Sequence, residues 1–275
     1  MNRSVGRLNR TAVCVYDATM KEWYRRHGHR LGNLGQAGCN LLLPPDCLCC
    51  RMRSPEDEAA SFCETCLDAI APVVWHGCQR CGQVLPQERQ ARAHCAACQR
   101  SKLHFDRVVP LGAYRSALRG LILRMKSPRH DALSLSVGRL LAERRQAELE
   151  EIAADFILPI PMHWWRRWTR GKNNAGVLAD CLGASLGTQV EQRILSRRRN
   201  TPPQARLAPA RRFDNVRGAF AIGRSASRIR DAKILLVDDV LTTGATCSEA
   251  AKVLKEAGAA LVAVAVVARA EPHRA

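Results

Sequence analysis

Two adjacent carboxylates, Asp238 and Asp239, follow the apolar run Ile-Leu-Leu-Val at 234–237, and Thr242-Thr243-Gly244-Ala245-Thr246 comes three residues later. Paired acids suit the two hydroxyls of a sugar diol or a Mg²⁺-bound group. A loop of small residues lets the backbone close around a phosphate, and a helix starting just beyond it aims free N–H groups at the anion. The apolar run has the composition of a strand buried on both faces of a parallel sheet. Ligands of open α/β sheets bind beyond the carboxyl ends of such strands. The chemistry legible here is recognition of a phosphorylated sugar.

Rival readings are a buried strand with an ordinary capped turn, or a Walker B strand. The second lacks an upstream G-x-x-x-x-G-K-[ST]. A phospho-receiver domain also opens on an Asp-Asp strand, but expects a longer stretch than the one after Asp238. The thirteen residues ILLVDDVLTTGAT at 234–246 resemble the phosphoribosyl-pyrophosphate (PRPP) signature of type I phosphoribosyltransferases. In that family the acids contact the ribose and the Thr/Gly loop cradles the 5-phosphate. Purine-salvage members place a third Asp in the loop. Thr242 stands there in this chain, as in the orotate-type loop, leaving no evident carboxylate to deprotonate a base.

A second chemistry lies upstream. Cys47-x-x-Cys50, Cys63-x-x-Cys66, Cys78-x-x-Cys81 and Cys95-x-x-Cys98 fall in series. Two thiolates three apart on a tight turn grip one metal ion, and two such turns close a tetrahedral S₄ site with no open position. The expected role is structural zinc, with an iron–sulfur cluster as the less favoured option. The simplest pairing joins 47/50 with 63/66 and 78/81 with 95/98 around short β-hairpins; a crossed pairing stays open. Gly82 suits a knuckle turn. His76 and His94 stand beside ligands as substitutes, and Cys49 is a bystander. Cys181 and Cys247 fall in helical patterns and are expected to be small buried hydrophobes.

The chain has 275 residues, 47% of them hydrophobic, enough for one α/β domain and an appendage. No apolar run approaches the ~20 residues that span a bilayer. Without a secretory leader pattern the expected location is the cytoplasm, where thirteen cysteines argue for metal rather than disulfides. The net charge of +18 favours polyanions. Between His163 and Arg212 eleven Arg and Lys stand against Asp180 and Glu191. Half of the excess charge thus lies in under a fifth of the sequence.

The expected elements alternate. Phe105–Tyr114 is a strand, Ala117–Lys126 a helix, Leu133–Ile152 one longer amphipathic helix, and Phe156–Ile160 a short strand. A basic loop, Met162–Asn174, precedes a helix from Ala175 to Leu186. Arg193–Arg212 is expected to be irregular. Lys233–Asp238 is the signature strand, Gly244–Ala257 a helix closed by Gly258, and Leu261–Ala268 a final buried strand. Strands alternating with helices predict a parallel sheet.

This layout is similar to the ComF/GntX family of competence-associated proteins, over about Leu43 to Arg269. The carriers are LPPDCLCC at 43–50, LILRMK at 121–126, IPMHWWRRWTRGKNNAGVLA at 160–179, TPPQARLAPARRFDNVRGAF at 201–220 and the signature itself. One block departs: after Arg170-Gly171 relatives carry an aromatic and then Asn-Gln, where Lys172, Asn173 and Asn174 stand here. The resemblance implies an α/β fold, a parallel-sheet type I phosphoribosyltransferase-like domain at 103–275 behind a double zinc ribbon at 41–102. Residues 1–40 would be a basic, flexible arm or a start placed too early. It implies Asp238 and Asp239 as catalytic acids that fix the ribose hydroxyls. Thr242, Thr243, Gly244, Ala245 and Thr246 would bind the 5-phosphate, and Pro161, Met162 and His163 would form the pyrophosphate loop. Arg166, Arg167, Arg170 and Lys126 would neutralise pyrophosphate. Mg²⁺ would accompany PRPP. The implied partners are single-stranded DNA, a DNA-uptake helicase and a recombination-loading protein. Trp164, Trp165 and Trp168 are either a base-stacking platform or core.

Overall fold

The computed structural model describes residues 46–52, 61–86, 95–99, 103–127, 131–162, 173–202, 207–208, 211–223 and 226–271. The chain divides into two compact units, one of residues 1–47 with 51–61 and one of 48–50 with 62–275. In the smaller unit the Cys47 amide donates to the Met52 carbonyl and Arg51, at φ 62°, returns its N–H to Cys47 O.

The larger unit is organised by the two most apolar segments of the sequence. Lys233–Leu241 (β6) and Leu261–Arg269 (β7) pair in parallel, Ile234 opposite Val262 and Asp238 opposite Val266. Residues 262–269 of β7 are all buried, as the unbroken Val/Ala run requires. Arg107–Ala113 (β1) pairs with β7, Phe156–Pro159 (β2) with β6, and Gln189–Val190 (β3) with β2, giving the all-parallel order β1-β7-β6-β2-β3. Pro110 is tolerated because β1 is an edge strand that needs no N–H on its outer side.

Helices cover both faces. Glu64–Ile70 (α1) and Ala96–Gln99 (α2) belong to the cysteine-rich region. Ser116–Met125 (α3), Asp131–Arg144 (α4), Gln146–Ile152 (α5) and Asn174–Leu186 (α6) come next. On the other face lie Arg211–Val216 (α7) and Ala245–Glu256 (α8). Side chains alternate along β6. Ile234 and Leu236 join the core that holds Cys247, Ala250, Ala251 and Leu254 of α8. Leu235, Val237 and Asp239 belong to the opposite face.

Five expectations need correction. The helix expected over Leu133–Ile152 is two helices, broken at Arg145 (φ −118°, ψ 20°). The Arg145 side chain is fully buried. It donates to Pro110 O at 2.8 Å, Leu111 O at 2.8 Å, Pro72 O at 2.7 Å and Val73 O at 3.0 Å. A guanidinium that must reach four carbonyls on two segments outweighs one more helical turn. The stretch Arg193–Arg212 is not all irregular. Leu195–Arg197 (β4) pairs antiparallel with Phe220–Ile222 (β5) in a second, two-stranded sheet. The signature strand continues to Leu241 because β7 pairs with it that far. The cysteine-rich region is only partly hairpin: Gly77 and Val84 form an antiparallel bridge, but Cys63 caps helix α1 instead. Cys247 is buried as expected, whereas Cys181 is half-buried. Cys181 sits where α6 crosses α4 closely, since a Cβ on Gly138 would stand 2.8 Å from its Sγ.

Candidate functional site

The carboxyl ends of β6 and β2 lie side by side, Pro159 opposite Val237 and the Ile160 amide on Val237 O at 2.8 Å. Pro161 and Met162 therefore emerge next to the acid pair. Gly244 turns the chain from β6 into α8 at φ 82°, a backbone most side chains resist, and a Cβ there would stand 3.3 Å from Phe105 Cζ. The Ala245 amide is met by Thr243 Oγ1 at 3.4 Å. A shallow hollow, open to solvent, is lined by Asp238 and residues 240–247. It combines threonine hydroxyls and the start of a twelve-residue helix, donors of the kind that suit a phosphate ester, with the Asp238 carboxylate at their side.

The two acids differ because adjacent strand residues point to opposite faces. Asp238 belongs to the hollow. Its Oδ1 accepts the Asp239 amide at 2.8 Å, and Cys247 Sγ lies 4.0 Å from Oδ2. Burial, and then the neighbouring Asp239 carboxylate, push its pKa up to about 8; the Asp239 amide, Lys126 and Arg197 pull the other way. Asp239 faces α3, where Lys126 Nζ stands 3.3 Å from its Oδ2. One cation thus already serves the acid pair. The pair stays at the solvent boundary, with the Lys126 side chain 43% and the Asp239 side chain 23% exposed.

The block that departs from the family pattern also positions this region. Asn173 Nδ2 donates to Ile160 O at 3.2 Å, and Asn174 Nδ2 to Met125 O at 3.1 Å. The two amides tie the start of α6 to the end of β2 and to the residue before Lys126. His163, Arg166, Arg167, Arg170 and the three tryptophans lie outside the described residues.

Two groups that sequence reasoning missed adjoin the site. Arg197, on β4, donates to Thr201 Oγ1 and lies over the Phe220 ring, 5.3 Å from its centroid. Its charge reaches Asp238. Arg269, at the end of β7, faces the carbonyls of Leu241 and Thr242 at the mouth of the loop. Neither stands in a recognisable motif. A charged last residue on an otherwise apolar strand was the one available signal, for Arg269.

The cysteines assemble as the simplest pairing predicts. The Sγ atoms of Cys47, Cys50, Cys63 and Cys66 lie within 4.8 Å of one another, and so do those of Cys78, Cys81, Cys95 and Cys98. Separations of 3.9 Å (Cys50–Cys63), 3.7 Å (Cys78–Cys98) and 3.5 Å (Cys81–Cys95) bracket the ~3.8 Å edge of a tetrahedron with 2.3 Å Zn–S bonds. The Cys95 amide points at Cys78 Sγ, 3.3 Å away, as amides do toward thiolates. Both sets therefore fit structural zinc with no open position. The second set is wholly buried. His76 is exposed and belongs to neither set; His94 lies outside the described residues. Cys49 also belongs to neither set, as expected. No helix among the described residues is long and apolar enough to cross a membrane.

Comparison with known proteins agrees with this arrangement. The family described as a double zinc ribbon domain matches residues 38–99, and the phosphoribosyl transferase domain family matches residues 174–275. Strands β1 and β2 of the same sheet precede that second match. Competence protein F of Haemophilus influenzae is 31% identical over 196 residues, covering 70% of this chain and 84% of the relative. The DNA utilization protein YhgH of Salmonella typhimurium is 30% identical over 229 residues, 82% of this chain and 96% of the relative. Among solved structures, a glutamine PRPP amidotransferase from B. subtilis is 21% identical at a TM-score of 0.33, over 49% of this chain and 26% of that one. With its double zinc ribbon, its phosphoribosyltransferase-type parallel sheet and these relatives, the chain belongs to the family of competence protein F and the YhgH DNA utilization proteins.

Proposed function

We propose that the chain binds PRPP, with Mg²⁺, in the hollow beside Asp238, and works in DNA uptake by handling single-stranded DNA. The observation that carries this reading is the convergence on one hollow of Asp238, the Thr242–Thr246 loop and the start of α8, with the Lys126–Asp239 pair behind it. The loop amides and hydroxyls would take the 5-phosphate, and Asp238 would accept from the ribose diol. Lys126, released from Asp239, would meet pyrophosphate oxygens; Pro161 and Met162, with His163, Arg166, Arg167 and Arg170, would complete that loop. The metal-ligand groups among the described residues are the two cysteine sets, with no carboxylate cage beside them. Mg²⁺ therefore fits as an ion carried on the substrate's phosphates, as is usual for this cation.

The DNA part rests on the relatives' names, competence protein F and DNA utilization protein, and on charge. Arg198 and Arg199 are exposed just beyond β4, within the stretch that holds half of the +18 excess. A phosphate-tracking surface of this kind predicts steep salt dependence. The domain division at 41–102 and 103–275, the helicase and recombination-loading partners and the cytoplasmic location belong to the same proposal.

A second reading is an active transferase that moves ribose 5-phosphate from PRPP to a nitrogen acceptor. Arg197 favours it: its charge, on the two-stranded sheet, reaches Asp238, and it would neutralise a departing anion. Calorimetry with PRPP and Mg²⁺ tests both. Binding by the wild type, lost in Asp238→Asn and Asp239→Asn, is expected; no binding by the wild type ends both readings. Pyrophosphate release in the presence of candidate acceptors then separates them.

A further inference from the structure

Arg269 ends a strand whose other described interior positions are Val and Ala, and it is only 6% exposed. Its Nε donates to Cys81 O at 2.7 Å. Its Nη1 faces Leu241 O at 3.0 Å and the carbonyls of Thr242 and Ala270. One guanidinium therefore spans from a ligand residue of the second cysteine set to the mouth of the Thr/Gly loop. Among the described residues no carboxylate forms an ion pair with it. A buried cation needs a counter-charge, and a zinc ion held by four thiolates carries a formal charge of −2.

Arg269 also orients the loop backbone. Every described peptide bond is trans, so a carbonyl and the amide that follows it point in opposite directions. With Leu241 O and Thr242 O drawn to Arg269, the N–H groups of Thr242 and Thr243 are held on the far side. Those residues line the hollow. The knuckle end of the bridge is equally fixed. Val108 N–H donates to Gln79 O at 2.9 Å, Arg80 Nη2 to Leu103 O at 3.0 Å, and a Cβ on Gly82 would stand 3.5 Å from Arg269 Cδ.

We propose that Arg269 is a positioning residue that couples the Cys78/Cys81/Cys95/Cys98 set to the Thr242–Thr246 loop, so that zinc in the first and a phosphate in the second stabilise each other. The zinc half stands on the bridge itself; the phosphate half rests on the PRPP reading.

Hydrogen exchange of the full chain, followed on peptides covering residues 241–246, tests the zinc half without any ligand. Relative to the wild type, Cys98→Ser, which dismantles only the second set, is expected to raise exchange there about fivefold or more, the lower end of ordinary site-to-site coupling. Cys66→Ser, which dismantles only the first set, is expected to leave it unchanged. Arg269→Met is expected to raise exchange with two zinc ions still bound, and Arg269→Lys to restore part of the protection. Unchanged exchange in Cys98→Ser, or an equal rise in Cys66→Ser, overturns the coupling. If Arg269→Met does not fold, the two cysteine variants alone decide. For the phosphate half, PRPP with Mg²⁺ is expected to slow zinc transfer from the wild type to a colorimetric chelator by about fivefold or more, and to slow it less in Arg269→Lys. Equal slowing in both proteins overturns that half. Absence of PRPP binding in calorimetry would remove the PRPP reading while leaving the exchange result standing.

Discussion

Lys126 and Asp239 lie 113 positions apart in sequence, and their charged groups meet at 3.3 Å at the carboxyl edge of the sheet. α3 delivers the lysine and β6 the acid. Both side chains remain partly exposed, so the pair is worth below about 1 kcal/mol to folding. Under the proposed function the pair holds a cation where a polyphosphate would arrive. Lys126→Gln is expected to leave the urea midpoint almost unmoved and to weaken PRPP binding about tenfold, the effect of removing one charge-assisted hydrogen bond. Calorimetry and urea titration on the same preparation check both halves.

Asp238 sets a pH dependence whose sign is opposite to that of most carboxylates. Its folded-state pKa of about 8 lies far above the ordinary carboxylate value of 3.8. Between those values the folded chain binds the extra proton, so this group's contribution to stability falls as pH rises from about 4 to about 8. Unfolding midpoints from pH 5 to 9 are expected to show that loss in the wild type and a flatter profile in Asp238→Asn. Binding should move the other way. A carboxylate accepting from a diol must be ionised, so the PRPP affinity of the wild type is expected to rise with pH from about 5 to about 8.

Arg145 ties β1 to the segment at Pro72 and Val73. Replacing it with Leu would strand the carbonyls of Pro110, Leu111, Pro72 and Val73, which now share one guanidinium. The expected cost is about 3 kcal/mol or more, read as a drop in urea midpoint with no change in zinc content.

Zinc content itself is expected to be two per chain. Cys50→Ser and Cys98→Ser should each lower it to one, and the double variant to none, measured by elemental mass spectrometry. Loss of the second zinc should destabilise more, because that set is wholly buried in the same core as Leu103, Phe105 and Val108.

Single-stranded DNA affinity is expected to fall steeply with salt. Charge reversal at Arg198 and Arg199 is expected to reduce the slope by about one for each phosphate that the protein no longer neutralises. A salt-independent affinity would contradict the basic-surface mode.

The parts of this protein that depend on local chemistry were legible in its sequence. Four CxxC pairs specify two metal knuckle pairs because the ligands of each turn sit three residues apart. The runs at 234–237 and 261–268 specify buried parallel strands because nothing polar interrupts them before the acids and Arg269; only pairing with β7 carries the first strand on to Leu241. The loop after Asp239 specifies a tight turn into a helix through its glycine and its small residues. The arginines behaved otherwise. Arg145 fits the polar phase of an amphipathic helix, Arg197 looks like one more charge in a basic stretch, and Arg269 like the end of a strand. Each instead lies against carbonyls, a hydroxyl or a ring contributed by another segment. A guanidinium's partners are chosen by which segments the sheet brings within about 3 Å, so only the tertiary structure decides whether such a residue faces water, a knuckle or the loop. The same physics separates the acids. Their adjacency was written in the chain, but the pleat of β6 sends Asp238 toward the hollow and Asp239 toward Lys126.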